Sequence, residues 1–506
     1  MARDRACDAC AARKVKCDRG LPCKRCKSLS IQCVAERRRL KAGPKGPWAQ
    51  RKREALLNNK SAMEAAMINR KSPIPVSDGD ATYPQRSPQQ SHAYPGMNRI
   101  PSSAFEHYLG LYQQALYPVW PVVKIETLLD RLRDSTDIEA YALAAAVSAV
   151  TIAQLKPMSH EALGRFGGDD GAFMAAESSR ARHEMDYLEH PSTSVLLSSF
   201  FLHVSYANRG HIRKGAMLLR EAITFAQMLG LDKAMHYASL SKLEAQRHLR
   251  IIWLLFVTER GHTTRFDFPR ILQLDPDLPE LEVDENPPIL FAFISLSKLF
   301  QGFANAMDGD GSPQTYEYFA SMHARLRGIS QASPNCTDLQ RADFLLTQQW
   351  MRIVLWKTSM YYINLLPNST DEGLGLCFPD HIARNVVKNI DVFPRSVIEA
   401  HGLGMEMKLF EVAMSLADIL LCLPTTFEGK QLMNVGPRDV LNRLSEFLTY
   451  FRGGGDNVKL QILHDKMQEI SRSIAQQPRL LEEDQEPDAE PLEWTRPCGN
   501  ESSIVL

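Results

Sequence analysis

The sequence predicts two folded parts of different kinds, a small cysteine-rich module at residues 1–35 and a large all-α domain at residues 103–475. Six of the ten cysteines lie between Cys7 and Cys33, and lysine and arginine surround them. In the long C-terminal part, apolar residues recur at helical spacing, whereas alternating stretches bounded by hairpin turns are absent. The cysteines and cations therefore predict the module, and the periodicity predicts the helical domain.

The six cysteines repeat one half-motif, C-x2-C-x6-C, on either side of a short loop. A C-x2-C step lets two sulfurs reach one tetrahedral ion at about 2.3 Å each, so the spacing indicates a metal centre. One zinc would take four thiolates and leave two, whereas two zincs need eight ligand positions from six sulfurs. Two cysteines, one from each half, must then bridge both ions, and symmetry alone does not choose the pair. The sequence thus predicts two Zn²⁺ ions bound by Cys7, Cys10, Cys17, Cys23, Cys26 and Cys33.

Two other uses of these cysteines agree less well with the sequence. A disulfide framework suits a small secreted domain, but the chain begins MARDRACDAC, without the apolar segment of a secretory signal. A thiol-rich metal buffer would explain neither the cations among the cysteines nor the large domain that follows. Zinc is therefore the preferred interpretation.

The basic residues indicate double-stranded DNA as a partner. Residues 1–60 carry 18 Lys and Arg against 5 Asp and Glu, and residues 61–506 carry 41 against 54. A basic arm on an acidic body is typical of a protein that neutralises DNA phosphates. A short helix between Cys10 and Cys17 would present cations to guanine in the major groove. These cations are Arg13, Lys14 and Lys16, while the expected phosphate contacts are Arg19, Lys24, Arg25 and Lys27.

This stretch resembles the binuclear zinc-cluster DNA-binding domain of fungal transcription factors. The resemblance covers all six cysteines, the R-K-x-K-C run that ends at Cys17, and Pro22 in the loop between the halves. In this sequence Pro22 directly precedes Cys23, whereas some members place a residue between them. That difference concerns the shape of the loop and leaves the ligands unchanged.

The resemblance implies a role for each ligand and for two cations. Cys7 and Cys23 would bridge the two zinc ions. The other four cysteines divide by half-motif, Cys10 and Cys17 completing one site and Cys26 and Cys33 the other. Lys14, with Arg13 beside it, would read a CGG-type triplet.

The segment after the module, residues 36–70, carries two basic clusters spaced like a bipartite nuclear localisation signal. The clusters are Arg37, Arg38, Arg39 and Lys41, then Arg51, Lys52 and Arg53. We therefore expect the protein in the nucleus. Between the clusters, a Gly-Pro-Lys step that begins at Gly43 is similar to the linker of fungal maltose-type activators, a three-residue likeness that points to a sugar pathway. Residues 48–70 predict a short amphipathic helix, and the sequence leaves a homodimer through it undecided.

Two further segments are predicted to be disordered. Residues 71–102 are rich in Pro, Ser and Gln and cannot bury a core, so they form a flexible tether. Residues 476–506 mix carboxylates with leucines and a tryptophan, as in activation segments that bind coactivators or the transcription machinery. A merely solvated acidic tail fits this composition equally well.

The all-α domain is predicted from amphipathic stretches such as residues 216–229 and 245–256. No uninterrupted apolar run approaches the roughly 20 residues of a membrane helix, so no membrane partner is expected. The stretches SSFFLHVSYANRG, AMLLREAITFAQMLGL and RHLRIIWLLFVTERG resemble the middle homology domain of the same fungal proteins. This resemblance implies a regulatory domain that responds to a small-molecule effector or a partner.

Catalytic motifs are absent from the sequence of this domain. HEALG lacks the second histidine of a zinc-peptidase motif, and DGDGSP has proline where a calcium-binding loop requires glycine. Glu259 and Arg260 are interpreted as an ion pair inside the core. The aromatic cluster is interpreted as core, with an effector pocket as the alternative; it comprises Trp350, Trp356, Tyr361 and Tyr362.

The predicted function is a nuclear, sequence-specific, zinc-dependent transcription factor that regulates RNA polymerase II genes. The resemblance assigns such proteins to a metabolic pathway or a secondary-metabolite gene cluster. Two alternatives are a DNA-bound repressor without activating capacity and an enzyme with an accessory zinc module.

Overall fold

The computed structural model divides the chain into two compact units, Met1–Asp80 and Ala81–Leu506. It describes residues 6–13, 15–20, 22–34, 100–134, 136–158, 169–266, 268–280, 287–308, 313–329, 336–366, 369, 371–422, 435–453 and 458–475. The predictions for residues 36–70 and 476–506, and for nearly all of the tether, lie outside the described residues.

The described residues of the first unit, which lie between positions 6 and 34, form two short helices of similar construction. Helix α1 spans Asp8–Ala12 and helix α2 spans Lys24–Ser28, and the two helices contact each other. Each begins directly after a cysteine in extended backbone conformation, Cys7 for α1 and Cys23 for α2. The repeat of the half-motif in the sequence is therefore a repeat in the backbone.

The second unit consists of α-helices, and the part that the structure describes contains no β-strand, only an isolated bridge between Leu366 and Gly375. The prediction of an all-α domain is confirmed. Its helices are α3 (Ser102–Leu111), α4 (Ile125–Leu132), α5 (Ile138–Leu155), α6 (Asp170–Glu184), α7 (Thr193–Asn208), α8 (Ile212–Met228), α9 (Ala234–Tyr237), α10 (Lys242–Phe266), α11 (Pro287–Asp308), α12 (Tyr316–Gly328), α13 (Asp338–Ser359), α14 (Phe378–Val392), α15 (Arg395–Glu399), α16 (Gly402–Cys422), α17 (Pro437–Thr449) and α18 (Val458–Ala475).

The helical body begins slightly earlier than predicted. Ile100 is already buried, and its amide donates a hydrogen bond of 3.0 Å to the hydroxyl of Tyr141. Pro101, which the sequence grouped with the prolines of the tether, is the N-cap of α3 with φ −60°. A proline at a helix start is compatible with the first turn, because the amide it lacks has no intrahelical partner there.

The core of the body is built from the faces that the periodicity predicts. Helices α5, α6 and α7 pack together, and α8 packs on α7. Leu219 and Ile223 of α8 and Ile252 and Trp253 of α10 are each at most 2% exposed. One cluster of buried side chains continues from Ile100 through α13.

Two helices within the described residues, α5 and α11, are long and apolar enough to cross a membrane by length and composition alone. In α5, 72% of the apolar window is buried inside the fold, and in α11 the share is 61%. Helices that are apolar on most sides and covered by neighbours are the usual core helices of a large domain.

The ion pair predicted in the core is present. Glu259 and Arg260 are both buried, and the carboxylate accepts a hydrogen bond from the guanidinium. Glu259 also accepts the amide of Ile271 at 2.7 Å, while Arg260 donates to the carbonyl of Leu272 at 2.8 Å. The pair forms hydrogen bonds with backbone groups of the segment that follows α10, so its role is structural.

The predicted aromatic cluster divides into two groups. Trp350 and Trp356 are buried on α13, whereas Tyr361 and Tyr362 are 72% and 56% exposed. The core interpretation is confirmed for the tryptophans and wrong for the tyrosines. The reason is that α13 ends at Ser359, so the tyrosines lie in the turn beyond it.

Three residues with left-handed backbone meet where early and late helices of the body contact each other. They are Lys156 with φ 48°, Gly402 with φ 61° and Arg452 with φ 54°. The ammonium of Lys156 donates to the carbonyl of Arg452 at 2.6 Å, and the Arg452 guanidinium donates to Asn208. Gly402 lies directly against the side chains of Gln154 and Asn208. We call this set the polar junction.

Candidate metal centre and nucleic-acid interface

The two halves of the module repeat the same backbone hydrogen bonds. The amide of Ala11 donates to the carbonyl of Cys7, and that of Lys27 to the carbonyl of Cys23, both at 2.9 Å. A second pair, Val15 to Cys10 and Ile31 to Cys26, has a length of 3.1 Å in both halves. The repeat places each C-x2-C step on a single helical turn, which brings its two sulfurs to the same side.

The six sulfurs form two groups of four. Within each group all sulfurs lie within 4.8 Å of one another. The groups are Cys7, Cys10, Cys17, Cys23 and Cys7, Cys23, Cys26, Cys33. Cys7 and Cys23 belong to both groups, and their sulfurs are 3.8 Å apart.

The spacing of the sulfurs fits zinc. A tetrahedral zinc with Zn–S bonds of about 2.3 Å places its sulfurs about 3.8 Å apart. Within the groups, the distance from Cys7 is 3.5 Å to Cys26 and 4.0 Å to Cys17, and Cys10 is 3.7 Å from Cys23. Four of the six cysteines are buried and two are half-buried. The donor set and its geometry therefore suit two thiolate-bound ions that share two ligands.

Backbone amides and neighbouring thiols perturb the acidity of the cysteines. The hydrogen bond with Cys7, followed by burial, raises the pKa of the Cys10 thiol to about 12. A backbone hydrogen bond from Cys7, followed by one from Arg19, lowers the pKa of Cys17 to about 7. The amide of Cys23 donates to the sulfur of Cys33 at 3.3 Å, and the pKa of Cys33 is lowered. Zinc held by these cysteines would supply positive charge that favours their deprotonated form.

Of the predicted cations of the first half, the described residues Arg13 and Lys16 do not lie on a helix. Helix α1 ends at Ala12, and Arg13 is its C-cap. Arg13 and Lys16 are exposed, while Lys14 lies outside the described residues. The prediction placed the helix between Cys10 and Cys17, but Cys7 starts it, because the C-x2-C step itself forms the helical turn. The chain then leaves the helix, and the cations follow its end.

The cations of the second half surround helix α2. Lys24, Arg25 and Lys27 lie on α2 and are exposed, as is Arg19 before it. Arg19 has φ 63°, and its amide donates to the sulfur of Cys17 at 3.4 Å. The metal ligands therefore fix the backbone on which these cations are displayed. The cations of the predicted nuclear localisation signal, Arg37 to Arg53, lie outside the described residues.

Asp18 has a structural role that the sequence reasoning missed. Both of its carboxylate oxygens accept the amide of Lys24 at 3.1 Å, so it caps the start of α2 from the preceding half. No local signal marks this role, because the N-cap position of α2 is Cys23, five residues further along the chain. A second link joins the ends of the module, where the amide of Asp8 donates to the carbonyl of Val34 at 2.8 Å.

Two four-sulfur groups with shared members, inside a module with exposed cations, define a metal-dependent nucleic-acid-binding domain. In agreement, the fungal Zn(2)-Cys(6) binuclear cluster domain matches residues 5–42. The domain therefore binds two zinc ions.

The similarity to known proteins extends over most of the chain. A probable sucrose utilization protein of Candida albicans is 31% identical over 424 residues, which cover 82% of this chain and 78% of that protein. A maltose fermentation regulatory protein of Saccharomyces cerevisiae is 24% identical over 431 residues, covering 82% and 84%. A respiratory transcription factor of the same yeast is 24% identical over 440 residues, covering 83% and 86%.

The chain belongs to the fungal family of zinc-cluster transcription regulators, and it is a DNA-binding transcription factor. The names of its relatives favour a regulator over the alternative of an enzyme with an accessory zinc module. They name sugar use and respiration, and none of the three names a secondary-metabolite gene cluster.

Proposed function

We propose that this protein is a nuclear regulator of RNA polymerase II transcription that controls genes for the use of a sugar. The observation that carries the proposal is the similarity over 82% of the chain to a sucrose utilization protein and to a maltose regulator. The Gly-Pro-Lys step that begins at Gly43 supports the same assignment, because it is similar to the linker of maltose-type activators.

In the proposed mechanism, the six cysteines would hold two zinc ions, and Cys7 and Cys23 would be ligands of both. Their membership of both sulfur groups supports this role. The cluster then holds the end of α1 rigidly, so that Lys14 and Arg13 donate hydrogen bonds to guanine in a CGG-type triplet. Lys16 lies in the same interval and supports the base contacts. The exposed cations of the second half contact phosphate, which positions the module without reading the sequence; they are Arg19, Lys24, Arg25 and Lys27.

The remaining partners follow from the rest of the chain. The basic clusters Arg37–Lys41 and Arg51–Arg53 direct nuclear import, and the acidic tail after residue 475 contacts coactivators or the transcription machinery. The helical body binds a small-molecule effector, and a homodimer places two modules on paired triplets.

Zinc content and DNA selection test the first part of the proposal. The purified full-length chain is expected to contain two zinc ions and to select CGG-type triplets from a random pool of DNA. The spacing between recovered triplets then distinguishes a monomer from a dimer. One zinc per chain, or recovery of DNA without sequence preference, would contradict it.

Two matched lysine variants test the roles of the cations. Lys14→Ala should lower discrimination between the selected site and a site with one altered triplet base by about 1–3 kcal/mol. Lys24→Ala should weaken binding to all sequences alike and reduce the salt dependence, because a phosphate contact carries no sequence information. Equal loss of discrimination in both variants would contradict the base-reading role of Lys14.

Promoter occupancy in the source fungus tests the pathway. During growth on maltose or sucrose, the protein is expected at promoters of disaccharide transporter and hydrolase genes. Enrichment at a secondary-metabolite gene cluster instead would overturn the sugar assignment. A reporter fused to residues 475–506 separates an activator from a repressor, since only an activator raises reporter expression.

A further inference from the structure

A cationic cleft lies in the first half of the helical body. It has a volume of about 150 Å³ and is formed where α4, α7 and α10 meet. Its charged lining residues are Lys124, Arg131, Arg247 and Arg250. Among the lining residues that the structure describes there is no aspartate or glutamate. Hydroxyl groups of Thr127, Thr193 and Ser194 also line it.

Helix α10 supplies one wall of the cleft. Leu243, Arg247 and Arg250 all line it, and their spacing of four and then three residues places them on one helix face. Arg250 is 7% exposed, and its guanidinium donates to the carbonyl of Pro121 at 3.4 Å. A cation this deeply buried is held in a fixed position by the fold rather than by solvent.

Arg247 leaves a donor for a ligand. Its side chain is half-buried, and its Nε atom is buried without a hydrogen-bond partner. Leaving a buried charged donor unsatisfied costs free energy, which an acceptor in the cleft would recover. The carboxylate of Glu244, three residues earlier on the same helix, accepts hydrogen bonds from Ser241, and these bonds together with the charges of His248 and Arg247 lower its pKa.

Arg131 lines the opposite wall of the cleft, and carboxylates neutralise its charge. Its guanidinium forms two hydrogen bonds of 2.8 and 3.0 Å with Asp137, and Glu139 is 3.8 Å away. It also donates to the hydroxyl of Ser194 at 3.0 Å, which ties α4 to the start of α7. Arg131 therefore shapes the cleft, and its charge is compensated.

The starts of two helices also border the cleft. Thr193 and Ser194 lie in the first turn of α7, whose N-cap Ser192 accepts the amide of Val195. Lys124 is the N-cap of α4, which has no side-chain cap and carries the exposed Glu126 in its first turn. The backbone amides of a first helical turn lack intrahelical acceptors, and the helix dipole favours an anion there. Buried arginine, an unsatisfied guanidinium donor and two helix starts thus surround one small space.

We propose that this cleft binds a small phosphorylated metabolite, with the phosphate against Arg247 and Arg250. Guanidinium groups and helix starts are the usual partners of phosphate in proteins. The volume is below the roughly 300–1,000 Å³ of sites for drug-sized ligands, so it suits a phosphate and part of the molecule that carries it. Given the proposed control of sugar genes, on which this choice rests, the ligand is a phosphorylated sugar. The cleft is then the effector site of the body.

Calorimetric titration of the full-length, zinc-loaded protein tests this inference, with glucose 6-phosphate, inorganic phosphate and maltose as probes. Glucose 6-phosphate is expected to bind and inorganic phosphate to compete with it, whereas maltose does not compete. Arg247→Gln should weaken binding about tenfold or more, since a charge-assisted hydrogen bond is lost. The exposed Arg213→Gln on α8 removes the same charge outside the cleft and should leave the affinity unchanged.

The outcomes separate this inference from the proposed function. Absence of glucose 6-phosphate binding at millimolar concentration, or equal affinity in the wild type, Arg247→Gln and Arg250→Gln, overturns it. Equally tight binding of maltose also overturns it, because a neutral sugar does not need the cations. Selection of CGG-type triplets by the same preparation tests the DNA-binding function independently, so either conclusion can fail while the other stands.

Discussion

Among the described residues of the N-terminal module, the fully buried ones are Cys7, Cys10, Cys23 and Cys26, whereas the helical body buries side chains as large as Trp253. The partly buried neighbours in the module are small or medium-sized, such as Ala9 and Val15, and they do not form a core of their own. The body contains a continuous core that extends over most of its helices.

The difference shows two sources of stability in one chain. Domains of fewer than about 40 residues rarely bury enough apolar surface to fold without metal, disulfides or a partner. Zinc therefore takes the place of a core in the module, while burial of apolar surface stabilises the body. Perturbations that act on one source should leave the other region folded.

Removal of zinc should have the largest effect and should affect only the module. Structural zinc contributes about 10–16 kcal/mol of apparent binding free energy at neutral pH, so a strong chelator should unfold the module and abolish DNA binding. The body should keep its helical circular dichroism and its cooperative thermal transition. Loss of most helicity on chelation would mean that the body also depends on metal.

Substitution of single cysteines should distinguish the sulfurs that serve both zinc ions from those that serve one. Cys7→Ser removes a sulfur that belongs to both groups, and zinc content should fall towards none. Cys33→Ser removes a member of one group, and one zinc should remain. Zinc content is measured by atomic emission on the purified variants. Equal zinc loss in both variants would count against the bridging role.

A methyl group at the polar junction should destabilise the body and leave zinc content unchanged. In Gly402→Ala the added Cβ would collide with Gln154 and Asn208, in a backbone with φ 61°. Left-handed strain and overpacking together should lower the free energy of unfolding by about 2–4 kcal/mol. Urea unfolding monitored by circular dichroism measures the change.

Gly404→Ala is a matched control two residues away. Gly404 is exposed within the same helix, α16, and an added Cβ there would have no neighbour within 4 Å. Alanine should therefore stabilise the helix by up to about 1 kcal/mol. The same sign of change in both variants would contradict a steric origin for the effect at Gly402.

Acid is expected to destabilise the helical body, by a smaller amount, through the buried residue His203. Burial lowers the pKa of His203 to about 4 from the ordinary value of 6.5, although its ring donates to the carbonyl of Gly215. Below pH 6.5 the unfolded chain binds a proton that the folded body excludes until about pH 4. Above pH 6.5 His203 is neutral in both states and does not reduce the free energy of unfolding. As the pH falls from 6.5 towards 4, proton binding by the unfolded chain lowers that free energy.

Between pH 7 and 5.5 this group alone should reduce the free energy of unfolding by about 1 kcal/mol. His203→Gln should remove that part of the pH dependence, and the exposed His190→Gln should not. Urea unfolding of both variants at the two pH values provides the measurement. An unchanged pH slope in His203→Gln would assign the acid sensitivity to other groups.

The clustering of the six cysteines could be predicted from the sequence, because ligand spacing along a short chain restricts which sulfurs can meet, although the spacing alone left the shared pair open. The sequence also predicted the helical body, since the apolar faces of α8 and α10 recur at 3.6-residue spacing. It placed the helix of the first half in the wrong interval, between Cys10 and Cys17. The spacing of ligands is compatible with more than one backbone path, and the hydrogen bonds from Cys7 onward decide between them.

Other features depend on contacts between residues that are far apart in the chain. The positions of Tyr361 and Tyr362 on the surface follow from where α13 ends. The cationic cleft joins Arg131 with Arg247, and no local pattern relates these two positions. Only the packing of the helices places Arg131 and Arg247 at the same cleft.

The sequence by itself determined that this protein has a thiolate metal module, a basic arm and a helical body, because these properties depend on residues close together in the chain. The tertiary structure decided which sulfurs belong to both four-sulfur groups and where the polar junction and the cleft are formed. Those features arise from distances between separate segments, which are set by burial and hydrogen bonding across the whole fold.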